Sequence, residues 1–306
     1  MIKATFKALQ KKWNSYKYRF VPWIAVNLGK NERTLRQVMD RTQDKLVSDE
    51  EISASLRTFF RALFKSSLQR QQEVLSVLPD SSRSTYQAFP YTIERQKSLD
   101  GHHDPSKVML ETMGFSIHRA PSSLQSAGTG VFISIGTVPQ GATVAMYPGT
   151  VYYAHEPIFF QSIHNPFIFR CIDGVLVDGN DRGLSKVVFR SCSGRDRLGP
   201  FQMSDTSWLT TIPQNPLAVG QYVNNCSNGM KELILFFTFF YLEKAANVCY
   251  QEFDVPAEFP LELRQFLPNV NYRHEIQRPL RCVVLVALRE IHQGEELFSN
   301  YYTIVH

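Results

Sequence analysis

At 306 residues, with 43% apolar and 20% charged residues, the chain can bury a sizeable core, which excludes an intrinsically disordered protein. Its net charge of +5 tolerates an acidic partner without demanding nucleic acid, so direct sequence-specific nucleic-acid binding is not expected. No apolar run reaches the roughly 18–20 residues of a membrane span. Cys171, Cys192, Cys226, Cys249 and Cys282 have neither zinc-ligand nor disulfide-framework spacing, so no metal is expected and a reducing, intracellular compartment is.

The N-terminus is basic. Lys3, Lys7, Lys11, Lys12, Lys17, Arg19 and Lys30 all precede the first acidic residue, Glu32, with Phe6, Leu9 and Trp13 at helical spacing among them. Residues 1–31 therefore resemble a mitochondrial presequence, or a basic helix that touches acidic lipid or protein. A nuclear or cytoplasmic location is the main expectation and a mitochondrial one the alternative. Farther on, Ser48 and Glu51 form a capping box, with Asp49 and Glu50 in the first turn. Ile52, Leu56, Phe59, Phe60, Leu63 and Phe64 then recur at helical period. A second helical pattern, Leu68 to Leu78, stops at Pro79, so residues 1–110 read as a helical region. His102-His103-Asp104 lacks a third ligand at a defined spacing and reads as a solvated loop.

From about residue 115 short β-rich runs alternate with Gly and Pro. They are VFISI (131–135), ATVAMY (142–147), FIFRCI (167–172), VLVD (175–178), KVVF (186–189) and RCVVLVAL (281–288). Without long helices between them, they predict an irregular, mostly antiparallel β domain. Asp178 to Gly183 superficially matches a calcium loop. Arg182 at a ligand position and Phe189 where a closing Glu would stand leave only a tight turn.

Three motifs follow in order. Ser126-Ala-Gly128-Thr129-Gly130-Val131-Phe132 leads into a strand and is followed by Tyr147-Pro-Gly149; Tyr222-Val-Asn224-Asn225-Cys226-Ser227 is the second; Gly294-Glu-Glu-Leu297-Phe-Ser-Asn300-Tyr301-Tyr302 is the third. Singly, a Gly-x-Gly or an Asn-Asn pair most often serves a turn, and a Tyr pair most often packs. Together they resemble the SET-domain family of protein lysine methyltransferases, over about residues 115–302.

That resemblance implies a mainly β, β-clip-like SET fold with a C-terminal pseudoknot, plus the N-terminal α-helical region. Insertions are expected at about 185–219 and 229–244. It implies S-adenosylmethionine as cofactor and, as partner, a protein substrate, histone or non-histone, with a target lysine. Gly128, Thr129 and Gly130 would let the backbone approach the cofactor, Asn224 would bind its methionine part, and Asn225 would offer its backbone to the adenine. Tyr301 would align the amine at the methyl-transfer centre, also bordering the cofactor, with Tyr302 next if the register slips by one. The alternative is an inactive SET-like protein-binding module, motivated by three departures. Asn225 stands where the family has His, Thr150 where it has an acid, and no cysteine cluster follows the domain. The strand after the Asn motif is expected at Ala246-Asn247-Val248-Cys249-Tyr250, with Asn269-Val270-Asn271-Tyr272 a second candidate. The apolar block Gly229 to Lys244 then reads as an insertion or a gene-model artefact, or as an added buried helix over Leu233–Leu242.

Overall fold

A computed structural model describes residues 45–77, 104–125, 127–153, 156–198, 201–225, 246–274 and 278–299. Residues 1–31, His102, His103, the block from Gly229 to Lys244, and Asn300 to Tyr302 lie outside these.

Helix α1 spans Asp49–Val77. Its capping box closes as expected: Ser48 N donates to Glu51 Oε2 (3.1 Å) and Glu51 N donates to Ser48 Oγ (3.2 Å). The two predicted helical stretches are one. Lys65-Ser66-Ser67 between them contains no Pro or Gly to interrupt the backbone ladder. Ile52, Leu56, Phe59, Phe60 and Leu63 are buried along one face and belong to the same core as the strands. The ring of Phe60 meets those of Phe259 and Phe266 at 6.4 and 5.7 Å. Fully buried Gln251 fixes the entry to α1, accepting from Leu46 N and Val47 N (2.8 and 3.1 Å) and donating to Val47 O (2.6 Å).

Helix α2, Pro105–Met113, starts on Asp104, whose side chain accepts from Ser106 N, and ends on Gly114 in the left-handed region (φ 81°). The Asp104 of the solvated-loop reading is therefore a helix cap. Strand β1 (Phe115–Pro121) pairs antiparallel with β2 (Thr129–Gly136). Next come β3 (Thr143–Tyr147), β4 (Gly149–Tyr152), a helical turn α3 (Phe159–Ser162), β5 (Ile168–Arg170) and β6 (Leu176–Asp178).

The run KVVF (186–189) is not a strand. It lies in helix α4, Gly183–Arg195. Its β-branched residues suggested a strand, but burial follows the helical period: Ser185, Phe189, Cys192 and Ser193 are buried, whereas Val187 is 63% exposed. Phe189 packs edge-on to Trp208, centroids 5.0 Å apart, in a small second core with Cys192, Leu209, Ala218 and Val270. Within this part of the chain β7 (Arg197–Leu198) and β8 (Phe201–Gln202) form a short hairpin.

The remaining strands are β9 (Asn224–Asn225), β10 (Val248–Val255), β11 (Asn269–Asn271), β12 (Leu280–Ala287) and β13 (Phe298–Ser299). Both expected Asn-Val starts are thus strands, and Val248 opens the longer one. One sheet has the order β3-β12-β10-β13-β9 and another β11-β4-β6-β5. The pairing is not uniformly antiparallel: β10·β13, β13·β9 and β11·β4 are parallel. The last strand lies between two earlier ones, β9 and β10, which is the pseudoknot topology that the resemblance implies.

Candidate active site

The connection from β1 to β2 closes with Ser122 N donating to Gly128 O (2.8 Å). Gly128 has φ +74°, and a Cβ there would meet nothing within 4 Å, so its backbone faces open space. Thr129 turns its carbonyl toward Asn224, whose Nδ2 donates to it at 2.9 Å. Gly130 is needed for another reason: a Cβ there would fall on the Glu296 carboxylate.

Asn224 and Asn225 do not form a surface turn. Both are buried strand residues, in parallel register with Phe298 and Ser299. The C-terminal segment is held beside them by Asn247, buried just before β10. Its Nδ2 donates to Glu296 O (2.9 Å) and its Oδ1 accepts from Phe298 N (2.8 Å). Gly128, Thr129 and Asn224 line a cavity of about 260 Å³; Gly130 is not among its lining residues and packs against Glu296. Asn225 is the neighbour of Asn224 on β9 and is not among the cavity's lining residues.

Aromatic residues supply much of the rest of the wall. Tyr147, Phe169 and Tyr250 form a cluster with centroids 5.4, 6.1 and 4.9 Å apart. Tyr147 pairs with Val283 and Tyr250 with Leu285, two residues apart on β12, so both flank that strand on one face. Tyr147 OH donates to Phe167 O (2.8 Å), which fixes the ring. Tyr222 also lines the cavity. Its hydroxyl donates to Asp181 Oδ2 (2.7 Å) and its ring lies under the Arg119 guanidinium, 5.3 Å away. Burial, then the Asp181 carboxylate, pushes its pKa up to about 12, so it stays a proton donor. Arg170, Asp181 and Arg182 add charged groups to the same wall.

A second cluster, Cys171, Asp173 and Glu252, has ligand atoms close enough to hold a cation. The Arg281 guanidinium supplies the positive charge there, at 2.6 Å from Glu252 and 3.1 Å from Asp173. Burial drives the Cys171 thiol pKa well up, which disfavours a metal-binding thiolate. The calcium-like loop is a set of side-chain turns. Asp178 Oδ1 accepts from Asn180 N (3.2 Å), and Asn180 Oδ1 accepts from Arg182 N (3.1 Å).

SET domain-containing protein 9 of Homo sapiens is 58% identical to the chain over 307 residues, covering 98% of this chain and 98% of that protein. The chain belongs to the SET domain-containing protein 9 family. The Pongo abelii protein of the same name is 58% identical over 280 residues, covering 89% of this chain and 97% of that protein. No family model matches. A solved structure described as "ctPRC2 in an autoinhibited conformation bound to S-adenosylmethionine" is similar over 61% of this chain and 15% of that chain, at 14% identity and a TM-score of 0.30.

On the SET framework, the first two motifs and Glu296 of the third meet at one place, joined by Asn224, Thr129, Gly130 and Glu296. Tyr301 and Tyr302 lie outside the described residues. Sequence reasoning passed over Glu296, whose side chain is gripped by Ser122 and Ser123, and gave no role to Phe169 and Tyr250. An acid inside a short apolar strand entry, Glu296 before Leu297-Phe298, was the one local signal for the first. The aromatic pair carried none, because β5 and β10 meet only through the fold. Among the described residues no helix is long and apolar enough to cross a membrane.

Proposed function

We propose that the chain is an S-adenosylmethionine-dependent methyltransferase acting on a lysine of a protein substrate. The observation that carries this reading is one cavity lined both by an open glycine backbone with a buried amide and by an aromatic cluster. Gly128, Thr129 and Asn224 line it together with the Tyr147–Phe169–Tyr250 cluster. The open backbone at Gly128 and the buried amide of Asn224 suit the cofactor's amino-acid part, and Arg170 or Arg182 suits its carboxylate. When bound, the cofactor supplies an electrophilic methyl group on a sulfonium.

The aromatic faces attract an entering ammonium, while their apolar bulk penalises its charge. A lysine amine must shed its proton before it can attack, and free lysine titrates near ~10.4. Burial among these rings lowers that value and holds the nitrogen in a fixed line of approach. Tyr301, with Tyr302 next, is assigned the alignment of that nitrogen through its hydroxyl. Ser299, the last described residue before them, pairs with Asn225 in parallel register.

The test is a radiolabelled methyl-transfer assay with the full chain on cell-extract proteins, comparing wild type, Tyr301→Phe and Tyr302→Phe. Label on lysine that is lost in one of the two variants supports the reading. Cofactor binding without any transfer would replace it with a SET-like module that binds but does not turn over.

A further inference from the structure

Glu296 is buried, yet no cation meets its side chain among the described contacts. Every group that its carboxylate meets is a donor. Oε1 accepts from Ser122 Oγ at 2.6 Å, and Oε2 accepts from Ser123 N at 2.8 Å and from Ser123 Oγ. Asn224 Nδ2 stands 3.5 Å from Oε1. The Ser122 oxygen also accepts from Leu124 N at 3.1 Å, which ties the hydroxyl into the turn. Ser123 N can only donate and so requires an acceptor at Oε2, and a carboxylate presents acceptors at both of its oxygens. The space for it exists because residue 130 is glycine.

These contacts join three stretches far apart in sequence: the turn that leads to Gly128, the Asn224 strand, and the C-terminal segment. The backbone of that segment is secured independently. Leu297 N donates to Val131 O (2.7 Å), Gly294 N to Ile133 O (2.9 Å), and Asn247 holds residues 296 and 298. The carboxylate is therefore not required to keep β13 in place. The turn is closed on itself by Ser122 N to Gly128 O and Leu124 N to Ser122 Oγ; the carboxylate adds the link from Ser122 and Ser123 to the C-terminal segment, beside Asn224.

We propose that Glu296 is a positioning residue for cofactor binding: its carboxylate latches the Ser122–Gly128 turn against Asn224, presetting the two sides of the cofactor cleft. The role rests on the cofactor reading above, whereas the latch can be measured without any cofactor. Glu296→Gln keeps the shape but removes the charge and replaces one of the two acceptor oxygens by an NH2. The charge-assisted bonds lost correspond to roughly a tenfold or larger effect.

The experiment uses the full chain as wild type, Glu296→Gln, Ser122→Ala/Ser123→Ala, and the triple variant. Amide hydrogen exchange in the cofactor-free proteins is expected to quicken about tenfold or more at Ser123, Leu124 and Ala127 in Glu296→Gln, with β10 and β12 unchanged. Calorimetry is expected to show a similar rise in the cofactor Kd, and kinetics a raised cofactor KM with kcat within about threefold. The triple variant should be worse than Glu296→Gln only by the loss of the Leu124 N to Ser122 Oγ bond, because the other contacts removed are shared. Unchanged exchange at the turn, exchange that quickens equally in β10 and β12, or an unchanged Kd would each overturn the proposal. A wild type that binds no cofactor would remove the methyl-transfer reading and the positioning role with it, even where exchange shows the latch.

Discussion

Replacing Asn247 by alanine should uncouple the C-terminal strand from its neighbours. The side chain is 2% exposed and makes two bonds to backbone groups of one segment, 2.9 Å to Glu296 O and 2.8 Å to Phe298 N. Alanine leaves both groups buried and without that partner, at about 1–3 kcal/mol each, so the expected loss is about 2–6 kcal/mol. Aspartate is the sharper probe. One oxygen can still accept from Phe298 N, but the other faces the Glu296 carbonyl, acceptor against acceptor, so Asn247→Asp should recover little of the loss at neutral pH. Urea unfolding followed by tryptophan fluorescence gives the difference, and Trp208, buried in the second core, reports on the fold. A loss below about 0.5 kcal/mol for alanine, or an aspartate variant as stable as wild type, would refute the view that Asn247 clamps β13.

Asp178 and Asp205 are buried carboxyls whose pKa values burial pushes up to about 6. A raised acid binds its proton more tightly when folded. Each group's contribution is therefore full below about pH 4 and is lost as pH rises through 6, by about 3 kcal/mol per group. Asp178→Asn should remove its share of that decline in a series of melting temperatures from pH 4 to 7; an unaltered pH profile would contradict the assignment. Gly130→Ala should cost about 1–3 kcal/mol through the clash with Glu296. Gly128→Ala, with open space but φ +74°, should cost only about 1–2 kcal/mol, through backbone strain. A loss below about 0.5 kcal/mol for either substitution in thermal melts would contradict the reason given for that glycine. Phe60→Ala should destabilise by about 3–5 kcal/mol in urea, since the fully buried ring meets Phe259 and Phe266; a loss under about 1 kcal/mol would mean that α1 is not part of the common core.

What could be read from the sequence was what is locally encoded. The Ser48–Glu51 box and the stripe from Ile52 to Leu63 predicted the start and the buried face of α1, because capping and helical period act over a few residues. The apolar runs at β2, β3, β6 and β12 were equally legible. KVVF misled because β-branched composition was weighed above the wider spacing of Ser185, Phe189 and Cys192, which only α4 satisfies. Helix α2 went unread although Asp104-Pro105 and Gly114 mark both its ends. The site divides in the same way. Gly128, Thr129 and Asn224 were found through ordered motifs, and the structure brings them to one cavity. Glu296 meets Ser123 across 173 residues, and the Tyr147–Phe169–Tyr250 wall draws on three strands; no local pattern encodes such meetings.

Calorimetric titration of the full chain with S-adenosylmethionine, repeated with Asn224→Ala, tests the central claim most directly. The account predicts saturable one-to-one binding by wild type and at least a roughly tenfold weaker Kd in the variant, whose buried amide is gone. No heat of binding with folded wild type, or equal affinity in both proteins, would contradict it.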